Sequence, residues 1–147
     1  MRFAAALWLL TSFQLAQADD LDSLIDPKIS PDARGEIFHR LKDADFPTIA
    51  PKLARLLGEH PIQSGIGARR GDPWAEELFN TSDRIAYTLR KLWHDKIGTP
   101  PTRPTFELMF TLLEDESIGR GRHWPMAAIH GNLHRNTNWS PRSRGPQ

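Results

Sequence analysis

Apolar residues recur along this chain at the spacing of one helical face, and proline, glycine and acidic clusters interrupt them. In residues 82–98, Ile85, Ala86, Leu89, Leu92, Trp93 and Ile97 stand at i, i+1, i+4, i+7, i+8 and i+12, with Arg84, Arg90, Lys91 and Asp95 between them. That pattern predicts an amphipathic helix with one buried stripe, and it makes this helix the expected organising element of the chain. Ser82 or Thr81 suits its N-cap, Asp83 the positive end of its dipole, Lys96 the negative end, and Gly98 its closure.

Upstream, Leu21, Leu24 and Ile25 predict a short helix or turn over residues 19–26, stopped by Pro27. Ser30-Pro31-Asp32 is a helix start, and the helix it opens presents Ile37, Phe38 and Leu41 before Asp43-Ala44-Asp45 ends it. The next helix starts near Phe46-Pro47. Phe46, Ile49, Ala50, Leu53, Leu56 and Leu57 form its stripe, Gly58 its expected C-terminal cap, and Pro51 lies early enough to be tolerated. So short a connection predicts an antiparallel hairpin between these two helices.

Residues 58–81 read as an irregular insertion containing a capped helical turn at 72–79, with Trp74, Leu78 and Phe79 facing inward. After the central helix, 98–104 is a stiff proline-rich loop. Phe106, Met109, Phe110 and Leu113 then make a second hydrophobic helix stopping at about Leu113, ahead of Glu114-Asp115-Glu116. Pro125 opens a last helix carrying Met126, Ala127, Ile129 and Leu133. From Arg135 the composition turns to Asn, Ser, Pro and Arg, which predicts a disordered basic tail over 135–147.

Composition changes this picture at the N-terminus. Arg2, the apolar run from Phe3 to Leu10 and the small-x-small Ala16-Gln17-Ala18 fit a secretory signal over residues 1–18, cut after Ala18; an uncleaved anchor is the alternative. The run is too short to span a bilayer, so no membrane association is expected after cleavage. The chain is expected to be exported, to a periplasm or the exterior. With no cysteine among its 147 residues it has no disulfide, thiolate metal site or covalent haem attachment. Without Arg2, 18 basic residues balance 18 acidic ones, yet residues 117–147 hold five arginines, three histidines and no acid. Such a tail is either a solvated end or a site for an anionic partner. No feature calls for nucleic acid.

Two alignments of the chain on itself point to a repeat. Residues 53–59 match 109–115 apolar for apolar and acid for acid, and Ile85-Ala86 with Leu92 match Met126-Ala127 with Leu133 at an offset of 41 residues. Asp45, Pro47, Ile49-Ala50, Pro51 and Leu53 resemble the pattern that opens the second helix of a HEAT repeat, whose period is about 40–47 residues. Tetratricopeptide repeats fit worse. The resemblance covers residues 30–134 and departs from the family in the long loop at 58–81 and in the one at 98–104, which stretches the second-helix offset to 56. It implies an all-α, short α-solenoid of antiparallel helical hairpins: about two HEAT-like repeats plus one extra helix, within a domain over 19–134. It also implies a non-enzymatic scaffold or protein-interaction module with an unidentified protein partner. The last unit has a first helix and no second. Its face is expected to be covered by the basic tail or by self-association through the last helix, unless the product is a truncated solenoid.

Residues able to carry chemistry are sparse. His123, His130 and His134 are metal candidates, since imidazoles four and seven apart share a helical face. They lack the glutamate of H-E-x-x-H, have no nearby acid as second-shell partner, and Pro125 is expected to separate His123 from the helix. Trp74 and Trp124 are candidates for stacking on a sugar, whereas Trp93 belongs to the core stripe. The glycine-rich residues 65–71 follow no strand, so they are no phosphate loop. Arg70-Gly71-Asp72 is too short to be informative, and Asn80-Thr81-Ser82 and Asn138-Trp139-Ser140 are glycan acceptor patterns. Glu76-Glu77 and Glu114-Asp115-Glu116 point to different faces of their helices and flank no cleft. No catalytic residue and no cofactor is assigned. A small exported metal-binding protein and a sugar-binding module stand as the alternatives.

Overall fold

The computed structural model describes residues 16–17, 19–62, 81–98 and 100–137. Every regular element within them is helical: α1 (Pro31–Asp43), α2 (Phe46–Glu59), α3 (Thr81–Ile97), α4 (Arg103–Glu114), a 3-10 segment (Glu116–Arg122) and α5 (His123–Thr137). Residues 19–24, ahead of α1, are helical too. The expected turn at 72–79 with Trp74, nearly all of the leader, and the tail beyond residue 137 lie outside the described residues.

Two of the local end signals act as the pattern predicts. Ser30 Oγ accepts from the Ala33 N–H at 3.2 Å, with Pro31 at the first helical position. Thr102 Oγ1 does the same for Thr105 at 3.4 Å, although the linking loop had no expected cap there. Gly98 closes α3 at φ 74°, a conformation open to glycine at little cost. Lys96 serves another helix than its own: its Nζ donates to the carbonyls of Lys42 and Ala44, satisfying orphan acceptors at the end of α1. Burial lowers its pKa against the opposing pull of Asp43 and Asp45.

The organising element is α2, not α3. Its buried residues, Ile49, Ala50, Leu53, Ala54, Leu56 and Leu57, cover roughly 160° of its circumference at 100° per residue, wide enough to meet several neighbours. The 3-10 segment, α3, α4 and α5 all pack closely on it, while α1 packs on α3 and α4 on α5. Neither expected hairpin, α1 with α2 or α3 with α4, is among these close pairs. Ala44 and Asp45, which join α1 to α2, are both extended (ψ 151° and 119°).

The closest approach is backbone to backbone. A Cβ on Gly121 would lie 2.0 Å from the Ala54 carbonyl oxygen, and one on Gly58 would lie 2.4 Å from the Gly121 nitrogen. Gly58 is therefore a packing residue inside α2 rather than its cap, which is His60. The 3-10 segment itself is absent from the sequence pattern. Asp115 caps it, and Gly119 at φ 55°, ψ −123° turns the chain within it.

One core joins all elements. Leu53 and Leu89 are fully buried, but Phe110, expected in the core, is 47% exposed. Met109 and Leu112 take the inward positions of α4, and Phe110 sits edge-on to Phe106 at 5.2 Å. On α5, Met126 and Ala127 likewise face outward, and Trp124, Pro125, Ala128 and Ile129 turn inward. Helix α5 begins at His123, two residues before Pro125, and extends through Arg135 to Thr137, where disorder was expected.

The leading residues are tied down by charge as well as by Leu21 and Leu24. Arg40 makes a forked pair with Asp20 (2.7 and 3.2 Å), and Lys52 reaches Asp22 at 2.6 Å.

Candidate functional site

Surface chemistry converges on Trp124. The indole of Trp93, buried on the inner face of α3, meets Phe46 edge-on at 5.7 Å and Trp124 edge-on at 6.4 Å. This row of rings leads from the core to the half-buried Trp124. Arg90 and His94 lie one helical turn apart on α3, so both reach the same place. The Arg90 guanidinium sits 5.2 Å from the Trp124 ring centre, a cation–π contact, and the His94 ring lies edge-on at 6.3 Å. His123 completes the group, its ring 5.0 Å from Trp124 and tilted 49°. Trp124 is thus positioned from three directions: by α3, by the start of α5, and by the 3-10 segment pinned on α2 at Gly121.

Arg90 brings a positive charge to the group, and the two imidazoles bring N–H groups. Among the described residues, no carboxylate is in ion-pair distance of Arg90, His94 or His123. Asp95, next to His94, faces Lys42 at 4.0 Å.

The histidine candidates do not assemble into a described metal centre. His123 belongs to α5, contrary to the expected separation at Pro125, because Pro is compatible with the first turn of a helix. His123 and His130 are both exposed, and the side chain of His134 lies outside the described residues. Among the described residues no three His, Cys, Asp or Glu side chains are placed to hold an ion. Of the sugar-stacking candidates, Trp74 lies outside the described residues, and Trp124 already carries Arg90 over its ring.

Within the acidic cluster, Asp115 is engaged in structure. Asp115 Oδ1 accepts from the Ser117 N–H at 2.9 Å and from its hydroxyl at 2.6 Å. The Ser117 hydroxyl and then its backbone N–H hold the Asp115 carboxyl below the usual carboxylate range, with help from Arg122. A lowered folded-state pKa adds stability above the ordinary carboxylate value, and that stability is lost as pH falls through the lowered one. Asp115→Asn is therefore expected to flatten the acid limb of thermal stability below about pH 5. Superimposable acid limbs would show that the Ser117 contacts are not formed in solution. Elsewhere, Gly35, Glu36, His39, Arg40 and Asp43 line an open depression of about 480 Å³ on α1, and Arg40 there is already engaged by Asp20.

The sequence pattern marks Trp124 and His123 but not Arg90 and His94. Their four-residue spacing beside Trp93 was the available signal; that Trp124 would meet them was not. No helix of the described residues is long and apolar enough to cross a membrane. Compared with protein-family models, curated proteins and solved structures, the chain matches none.

Proposed function

We propose that this chain is a non-enzymatic helical module that recognises another protein and acts after export. The observation that carries the reading is the group around Trp124. Tryptophan and arginine dominate binding energy at protein interfaces, and here both are held in place at the surface by the buried residues beneath them. The HEAT-like residues 45–53 also support it, since that family presents helical surfaces to protein partners. On this reading, HEAT-like units of a short solenoid open around α2 instead of stacking as parallel layers. Phe110 and Met126, exposed on the adjacent helices α4 and α5, offer further apolar contact.

Selection from a random peptide display library against the purified chain tests this. Enriched peptides are expected whose binding weakens at least about tenfold with Trp124→Ala, the loss of one interface anchor. Repeated selection that enriches nothing would remove the proposal. Enrichment unaffected by Trp124→Ala would move the surface elsewhere.

A further inference from the structure

We infer that the surface formed by Arg90, His94, His123 and Trp124 is a docking site for a short acidic segment of a protein partner, whose carboxylates seat on these three side chains. This rests on the reading of the chain as a protein-binding module and names the partner's chemistry. Arg90 holds its guanidinium over the indole, 5.2 Å from the ring centre. A guanidinium held over a ring face still has N–H groups to offer, and its fork matches a carboxylate with two parallel hydrogen bonds. The ring contact also restrains the long side chain beforehand, so less entropy is lost on binding. His94 and His123, both exposed, add N–H donors around the same ring.

Charge complementarity selects the occupant. Among the described residues no carboxylate pairs with Arg90, His94 or His123, and residues 117–147 contain no acid at all. The scale selects a peptide over a polyanion. Nucleic acid is held by a track of phosphate contacts, whereas here one guanidinium and two imidazoles gather around one ring, and residues 19–116 carry 18 acids against 13 basic residues. An acidic peptide needs only a few carboxylates in one place.

The test uses the purified chain and a fluorescein-labelled glutamate-rich peptide, read by anisotropy at low and high salt. Saturable binding is expected that weakens in high salt, as for any interaction between exposed charges. Arg90→Ala is expected to weaken it about tenfold, in the range of one lost charge-assisted contact. Arg90→Lys should recover only part of the loss, because a point charge lacks the fork. Lys91→Ala, one residue away over Phe38, should change nothing. Equal losses for Arg90→Ala and Lys91→Ala would reduce the effect to general charge and overturn the site. Tighter binding of single-stranded DNA than of the peptide, equally sensitive to Arg90→Ala, would overturn the choice of partner. Absence of peptide binding would overturn the inference outright. Display selection that still enriched non-acidic, Trp124-dependent peptides would leave the protein-binding reading standing.

Discussion

Trp93→Ala is expected to destabilise the chain by about 3–5 kcal/mol, the range for emptying a tryptophan site in a packed core. Trp93 is 1% exposed and touches Phe46 of α2 on one side and Trp124 of α5 on the other. Its removal opens a cavity where three helices meet, and backbones held by their other contacts cannot collapse to fill it. For a chain of this size the thermal midpoint should fall by on the order of 10 °C. Urea denaturation followed by far-UV circular dichroism measures it, and Trp93→Phe should fall between the two. A loss below about 1 kcal/mol would mean that Trp93 is not enclosed, a loss typical of surface positions. Because Trp124 leans on Trp93, the same substitution should also weaken binding at the Trp124 surface.

Gly121→Ala carries the second large effect and depends on geometry rather than on area. The added methyl would sit 2.0 Å from the carbonyl oxygen of Ala54 and 2.5 Å from its carbon. Those are backbone atoms in the middle of α2, so no rotamer change relieves the clash and the 3-10 segment must lift off the helix. A cost of at least about 1–3 kcal/mol follows from overpacking of this kind. Gly35→Ala makes the control. A Cβ at Gly35 meets nothing within 4 Å, and the residue lies inside α1, where alanine is favoured over glycine by about 0.5–1 kcal/mol. One glycine-to-alanine change should thus lower the thermal midpoint and the other raise it. Equal and small effects at both positions would show that the two backbones do not touch.

These two residues divide what was readable from what was not. Trp93 announces itself, because an indole on a stripe with Leu89 and Leu92 has nowhere to go but inward. Gly121 announces nothing. Within the string 119–121 it reads as one more loop glycine, and only Ala54 across the fold makes its missing side chain matter. Gly58 shows the same limit: next to the end of a helical stripe a glycine reads as a cap, yet here it clears a path for another backbone. Phe110 and Met126 fail differently. Helical periodicity identifies an apolar face, but with several neighbouring apolar positions it cannot rank them. Met109 and Leu112 won on α4, and Trp124 and Ile129 on α5. The candidate site was half visible, with Trp124 and His123 noticed singly, Arg90 placed only among the polar residues between the stripe positions of α3, and His94 not marked at all.

Helix positions, their caps at Ser30 and Gly98, and the all-helical class were written locally, in hydrogen bonds and stripes spanning a few residues. Which helix lies against which was not. That outcome depends on matching whole surfaces, such as the small edge of α2 at Ala54 and Gly58 receiving the bare backbone at Gly121. Residues 54 and 121 are far apart along the chain, and no local periodicity records their fit. Burial is a free energy of the assembled molecule, so folding chose α2 as the centre and brought Arg90, His94 and His123 together around Trp124.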